Sequence, residues 1–236
     1  MRIVSAYYKI PSKKSHEFYM EHMARLFTFI KRPILFFTEE ALVKELDKIS
    51  GPNVEFVVQP FSELDVFTEY PPKFWKEQKR LSQDDNTWQL AALRANRKHF
   101  LERASEIKTD TNWFVWVDAG CVRLHHWAPI LRDFTVRNRF HAPGIYMQLL
   151  KAPKPEENFF RAPAVHAAGA ILLVHRDFIK PYIEEYNATL DCYDSLKIPA
   201  QDQYIMASIN QPWVHKVLIP SDQLFPDDWF FFLAYI

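Results

Sequence analysis

Glycine is scarce in this chain, with 4 among 236 residues, where average usage gives about 16. Those few build no glycine-rich phosphate loop of the dinucleotide-binding or P-loop kind. No serine lies between glycines as in a nucleophile elbow, and no His-Glu-x-x-His sequence occurs. These absences argue against dehydrogenases, kinases and the common hydrolases.

Cysteine, net charge and long apolar runs are also in short supply. Cys121 and Cys192 cannot supply a disulfide framework or a paired Cys-x-x-Cys motif, and they fit a reducing compartment. Lys+Arg and Asp+Glu both total 29, so no net charge attracts nucleic acid or an anionic membrane. No apolar stretch reaches the roughly 18 residues of a membrane span, and the amino terminus lacks a signal-peptide layout. We therefore expect a cytoplasmic protein with no transmembrane segment and no nucleic-acid partner.

The first half of the chain alternates strand and helix patterns. Predicted strands lie at 2–8, 34–38 and 54–58, and predicted helices follow a cap at Ser12 or Ser15 and cover 39–49. Such alternation predicts a parallel sheet with right-handed crossovers.

The rest of the chain continues in the same style. Residues 60–79 read as a loop, and a single helix follows a cap at Asp84, Asp85 or Asn86, with Arg97 among its periodic positions. Later strands are predicted at 113–117, 170–174 and 214–219, and later helices at 182–190 and 203–209. Because no linker or repeat occurs, we expect one α/β domain over 1–236, with a mostly parallel central sheet flanked by helices.

One acidic residue follows the most apolar predicted strand. Residues 113–117 are all aromatic or β-branched, which suits a strand buried on both faces, and Asp118-Ala-Gly120 comes next. Open α/β sheets bind ligands at the carboxyl ends of their strands, so Asp118 is a candidate for holding a metal ion or a sugar-nucleotide. An ordinary turn explains the same residue types.

Four features in order resemble glycosyltransferases of the GT-A fold, which is Rossmann-like. They are Ser5-Ala-Tyr-Tyr8, Asp118-Ala-Gly120, His166-Ala-Ala-Gly-Ala170 and Ala200-Gln-Asp-Gln-Tyr204. The Asp-x-Gly variant resembles the bacterial HtrL/YibB-like family. The carboxyl half is similar to retaining blood-group A/B-type transferases, through His141-Ala-Pro-Gly-Ile-Tyr146, Lys216-Val-Leu-Ile-Pro220 and Asp227-Asp-Trp229.

The resemblance implies a transfer of a sugar, a hexose, from a UDP-sugar to a glycan or glycoside, with retention and with Mn²⁺ or Mg²⁺. It implies a nucleotide-binding half at about 1–118 and an acceptor and catalytic half at about 119–236. It also implies roles for particular residues: Ala6, Tyr7, Tyr8, Arg94 and Asp118 for the nucleotide, Asp118 for the metal, Ala168 and Gly169 for the donor sugar, Asp202 at the anomeric carbon, and His141 and Trp229 for the acceptor.

Two departures leave alternatives open. Gly120 replaces the second aspartate of Asp-x-Asp; a single carboxylate can still hold a divalent ion that takes phosphate oxygens, or Arg94, Lys98 or Arg123 can neutralise the diphosphate instead. Asp202 stands where the blood-group enzymes have a glutamate, and a helix N-cap is its other interpretation.

Sugar-diphosphate cleavage explains why such groups would gather, because negative charge develops on the diphosphate and positive charge on the sugar. Two rival functions remain. One is a non-catalytic relative that binds glycans or a partner; the other is a metal-dependent phosphohydrolase using Asp118 with His125 or His126.

Overall fold

A mixed seven-stranded sheet organises the part of the chain that the computed structural model describes, namely residues 1–82, 86–107, 109–123, 125, 128–132, 140, 142–152, 154, 167–218, 230, 232–233 and 236. The strands are β1 Arg2–Ala6, β2 Ile34–Thr38, β3 Val54–Val58, β4 Trp113–Val117, β5 Ile145–Leu149, β6 Ala167–His175 and β7 Val214–Leu218. The α-helices are α1 His16–Phe29, α2 Glu40–Asp47, α3 Val66–Glu69, α4 Pro72–Leu81, α5 Trp88–Ala95, α6 Arg97–Glu106, α7 Ala128–Arg132, α8 Ile179–Ser195 and α9 Asp202–Ser208. Short 3-10 turns cover Phe61–Glu63 and Arg176–Phe178.

The strand order is β3-β2-β1-β4-β6-β5-β7. β1, β2, β3 and β4 pair in parallel, and so do β5 and β7, whereas β6 runs antiparallel to both β4 and β5. The chain moves outward from β1 to β3 and then returns to the other side of β1 with β4. The order therefore reverses between β1 and β4, which is where open α/β sheets form a ligand crevice.

Two apolar layers enclose the sheet, as alternation along a strand requires. On one face, Val4, Phe37 and Trp116 pack with residues of α5, α6 and α8. On the other face, Ile3 and Val115 pack with residues of α1, α2 and α7. β4 is buried on both sides, as its unbroken apolar run predicts. The single-domain α/β fold with a mostly parallel sheet is confirmed.

The predicted loop at 60–79 is wrong, because most of it is helical. α3 and α4 both fall within this segment or begin in it. Pro72 is the first residue of α4, a position where the missing proline N–H costs nothing. Trp75 fixes the arrangement, since it is 1% exposed and its indole N–H donates to the Tyr70 carbonyl at 3.0 Å.

The predicted N-terminal cap of α1 is confirmed, whereas that of α5 is wrong. The Ser15 hydroxyl accepts from the Phe18 N–H at 3.2 Å and starts α1, as expected. The cap of α5 is Thr87, which accepts from the Leu90 N–H at 3.2 Å, and not a residue of 84–86. Thr87 also donates to the Pro11 carbonyl at 2.8 Å.

The helix predicted to run through Arg97 is two helices, broken at Asn96. The Asn96 side chain accepts from the Val66 N–H at 2.9 Å, which ties α3 to the break. Arg94 lies in the last turn of α5 and Lys98 belongs to α6, so the two do not share one helical face.

Lys98 points away from the sheet edge into a cluster of charged groups. It is 1% exposed and pairs with Glu69, which also contacts His99 Nε2 at 3.0 Å. Burial would raise the pKa of Glu69, but the His99 and Lys98 hydrogen bonds lower it to about 2. Lys98 is therefore a structural partner of Glu69 and does not supply charge at the sheet edge.

Across the described ranges, no helix combines the length and the apolar character needed to cross a bilayer.

Candidate functional site

A cavity of about 400 Å³ opens at the carboxyl ends of β1 and β4. Six of the residues expected to contact the donor line it: Ala6, Tyr7, Tyr8, Arg94, Asp118 and Gly169. The sheet brings them together because β1 and β4 are parallel neighbours, while antiparallel β6 presents its amino end at the same edge.

Two other candidates lie outside this cavity lining, and two more are not among the described residues. Ala168 is buried opposite Gln148 in the β5–β6 pairing and does not line this cavity. Asp202 lies beneath the cavity wall and lines a smaller cavity of about 30 Å³, which Arg94 also borders. His141 and Trp229 lie outside the described residues.

Asp118 extends the β4–β6 ladder by one residue and then begins a turn. Its N–H donates to the Ala170 carbonyl at 2.9 Å, and its carbonyl accepts from the Cys121 N–H at 3.0 Å. The turn interpretation is thus correct for the backbone. The side chain has a separate partner, because the Trp116 indole N–H donates to Asp118 Oδ1 at 2.7 Å and holds the carboxylate at the cavity.

The backbone of Gly120 passes close to an aromatic ring. Its φ is not positive, so glycine is not needed there for an unusual backbone angle. A Cβ at this position would lie 3.2 Å from Cε1 of the Tyr19 ring. Tyr19 packs in turn on Tyr7, with ring centroids 5.3 Å apart. The place where Asp-x-Asp enzymes carry a second acid therefore faces an aromatic ring.

Asp202 forms a buried ion pair with Arg97. Arg97 Nη2 lies 2.8 Å from Asp202 Oδ2, and the two side chains are 4% and 5% exposed. The Tyr186 hydroxyl donates to the other carboxylate oxygen at 3.2 Å. The cap of α9 is Gln201, so the N-cap interpretation of Asp202 is wrong.

Arg97 connects this pair to the large cavity. Its Nη1 donates to the Gly169 carbonyl, and its guanidinium lies 5.9 Å from the centre of the Trp116 ring. Burial alone would lower the pKa of Arg97, but the charges of Asp202 and then Asp118 raise it. Burial raises the pKa of Asp202, against the opposing charges of Arg97 and Arg94. Arg97 therefore stays a cation in the cavity wall.

Gly169 makes this arrangement possible. A Cβ on Gly169 would lie 2.5 Å from Asp202 Oδ2 and 2.9 Å from Arg97 Nη1. The β5–β6 register also shifts between Met147 and Gln148, a bulge of the kind that is common beside active sites. The missing side chain of Gly169 thus leaves room for the ion pair.

Tyr7 and Tyr8 leave the end of β1 toward opposite faces of the sheet. The Tyr7 hydroxyl lies 2.8 Å from His16 Nδ1, and burial is the main reason that its pKa rises to about 12. The Tyr8 ring stacks on Phe100 at 6.2 Å. Both rings border the cavity and are held rigidly from behind.

Two important residues escaped the sequence prediction of the site: Arg97 and Trp116. Arg97 stands at a periodic position among apolar residues, and an arginine there signals a buried acidic partner. Nothing in the sequence alone marks Trp116 as the donor to Asp118. The cavity lining contains four basic side chains among the described residues: Lys14, Arg94, Arg97 and Arg123.

A divalent ion fits the described residues poorly. No group of three or more His, Cys, Asp or Glu side chains in the described ranges is arranged to hold a metal. Asp118 is the one acid that these ranges contribute to the large cavity, against the four basic groups. His125 does not line the cavity and contacts the Phe29 ring at 6.0 Å, so the described residues give no support to the phosphohydrolase alternative; His126 lies outside them.

Comparison with known proteins identifies the fold. No protein-family model and no curated protein sequence matches the chain. Mouse xyloside xylosyltransferase 1 in its apo form matches with a TM-score of 0.50 and 12% identity, over 92% of this chain and 84% of that one. An active-site mutant of LgtC matches with a TM-score of 0.50 and 13% identity, over 92% and 72%. These likenesses support the GT-A fold and do not confirm the HtrL/YibB-like family.

Proposed function

We propose that the protein is a glycosyltransferase that moves a sugar, a hexose, from a UDP-sugar to a glycan or glycoside acceptor. The observation that carries this proposal is the composition of the cavity between β1 and β4. One oriented carboxylate, several guanidinium groups and rigid aromatic rings share a space of about 400 Å³ at the switch point of a GT-A sheet. A nucleotide-sugar requires these three kinds of contact.

The proposed donor contacts follow the cavity wall. Ala6, Tyr7 and Tyr8 border the base, because aromatic surfaces suit the face or edge of a planar ring. Arg94 neutralises phosphate, and Gly169 allows the donor sugar to approach the β6 backbone. Ala168 supports this backbone from behind the cavity.

Asp202 has a positioning role in the arrangement described here, because it holds Arg97 in the wall beside Gly169. A direct role at the anomeric carbon would require Arg97 to release the carboxylate. Such a carboxylate would stabilise or trap the positive sugar. Retention stays a prediction that rests on the family resemblance alone.

The proposed division of the domain assigns the nucleotide to about 1–118 and the reaction to about 119–236. His141 and Trp229 remain predictions for the acceptor side.

Release of UDP from a panel of UDP-sugars, with and without simple glycoside acceptors, tests the proposal. We expect slow hydrolysis by the wild-type protein, its loss in Asp118→Ala, and its retention in Asp110→Ala, an exposed acid that does not line the cavity. If the folded wild-type protein neither binds nor cleaves any nucleotide-sugar, the proposal is wrong.

A non-catalytic glycan-binding relative is the second candidate, and the buried Arg97–Asp202 pair is the observation that favours it. Saturable binding of UDP-sugars or glycans without turnover in the same panel would support this alternative.

A further inference from the structure

We infer that the donor diphosphate binds directly to Arg94, Arg97 and Arg123, and that these arginines replace the divalent metal ion. This inference rests on the proposed function and defines how the same cavity recognises a nucleoside diphosphate.

The first observation concerns the position of the missing second acid. The Cα of Gly120 faces the Tyr19 ring so closely that an added Cβ would lie 3.2 Å and 3.4 Å from two ring atoms. The ring cannot easily withdraw, because it packs on Tyr7 at 5.3 Å and on Phe18 at 5.6 Å. A second metal-binding carboxylate at this turn would therefore press on the Tyr19 ring, which would have to shift within its aromatic cluster.

The second observation concerns Asp118. Its Oδ1 already accepts from the Trp116 indole N–H at 2.7 Å, which uses part of its capacity as a ligand. Four basic side chains line the same cavity and would repel a divalent cation. A carboxylate in this setting is better suited to accept hydrogen bonds from ribose or sugar hydroxyl groups.

The third observation concerns the elements that place the arginines at the cavity. Arg94 lies in the last turn of α5 and Arg97 begins α6, so the break at Asn96 brings both to the cavity. Arg123 follows the Asp118 turn, and its guanidinium lies 4.4 Å from the centre of the Phe230 ring. Guanidinium groups match the bidentate geometry of phosphate and remain charged at every physiological pH.

Arg97 carries one donor that no described residue accepts. Its Nη1 and Nη2 atoms bind Gly169 and Asp202, whereas its buried Nε has no hydrogen-bond partner among the described residues. Buried donors are normally satisfied, and a ligand oxygen or an ordered water would satisfy this one.

Titration calorimetry of the whole protein with UDP, in EDTA and then in excess Mn²⁺, is the first test. We expect dissociation constants that agree within about threefold, because 1.4 kcal/mol, a tenfold change, would already indicate a metal contribution. Binding that needs Mn²⁺ would overturn the inference and leave the proposed function standing. If UDP and UDP-sugars bind in neither condition, the proposed function itself fails.

Variants of the charged groups distinguish a diphosphate site built from arginines from one that needs a metal ion. The affinities of the variants are measured in EDTA, and their folding is checked by circular dichroism. We expect Arg94→Gln and Arg123→Gln each to weaken UDP about tenfold, as the loss of a charge-assisted hydrogen bond implies. Arg80→Gln, an exposed arginine of α4 outside both cavities, is the matched control and should bind normally. Asp118→Asn should bind UDP within a few fold of wild type, because an amide oxygen still accepts from a hydroxyl. If Asp118→Asn binds UDP much more weakly than the wild type, and if UDP binding by the wild type also depends on Mn²⁺, the inference is wrong.

A gain-of-metal variant tests the Tyr19 argument independently. Tyr19→Ala combined with Gly120→Asp restores the second acid and the space for it, and UDP should then bind more tightly in Mn²⁺ than in EDTA. Gly120→Asp alone and Tyr19→Ala alone are the controls, and neither should respond to Mn²⁺. A metal response in the wild type equal to that of the double variant would refute the argument.

Discussion

The Arg97–Asp202 pair should behave as one buried unit, and a double-mutant cycle can measure this. The perturbations are Arg97→Met, Asp202→Asn and their combination. Each single change leaves a partner that is about 95% buried, with its other contacts from Gly169 or Tyr186 intact.

The structure sets the magnitude. Removing one member of a buried ion pair costs about 3–5 kcal/mol, because the remaining charge is desolvated and unpaired. The double variant has no such charge, so its cost should be smaller than the sum of the single costs by about 2–3 kcal/mol. Urea unfolding followed by tryptophan fluorescence and circular dichroism gives the four free energies of unfolding, for the wild type and the three variants.

The pH dependence of Arg97→Met supplies a second measurement with a defined sign. Burial raises the pKa of Asp202 above its ordinary value of 3.8, and loss of Arg97 removes the main opposing charge. The folded variant then keeps a proton that the unfolded chain has already lost, so its stability falls as pH rises above about 4. The deficit relative to wild type should shrink on acidification toward that pH. Additive single effects, or a deficit that is constant with pH, would refute the reasoning.

Three smaller predictions follow from contacts described above. Thr87→Ala should lower the free energy of unfolding by about 1 kcal/mol, seen as a lower thermal midpoint, because the α5 cap is lost. Glu69→Gln should lower the free energy of unfolding by about 3 kcal/mol at neutral pH, since Lys98 remains buried. As the pH falls from 4.5 to about 2, protonation of Glu69 should destabilise the wild type, whereas the variant has no such group and should not show this loss. Trp116→Phe should weaken UDP-sugar binding about fivefold in calorimetry, because Asp118 loses a hydrogen bond that orients it.

Local pattern was sufficient for much of the fold. The strands at 34–38, 54–58 and 113–117 agree with the prediction because each is a short apolar run between turn signals. The errors at Pro72 and Asn96 have local causes as well. A proline can open a helix as easily as it ends one, and a break held by a hydrogen bond to Val66 leaves no periodic signal.

The site was predictable where one strand end supplied the residue and unpredictable where distant residues cooperate. Asp118 and Tyr7 follow directly from the ends of β4 and β1. Arg97 and Asp202 are 105 residues apart, and only the packed sheet shows that they pair. Ala168 adjoins Gly169 in the chain, but it pairs with Gln148 of β5 and does not line the cavity.

The antiparallel direction of β6 has a consequence for how this protein can diversify. The other strands that reach the cavity end there, whereas β6 starts there with Ala167. A change of chain length ahead of Ala167 therefore precedes β6 at this edge of the sheet and can leave every ladder partner of β6, and the whole β1–β3 half, in register. We expect relatives of this protein to differ in chain length at that point before they differ anywhere in the sheet.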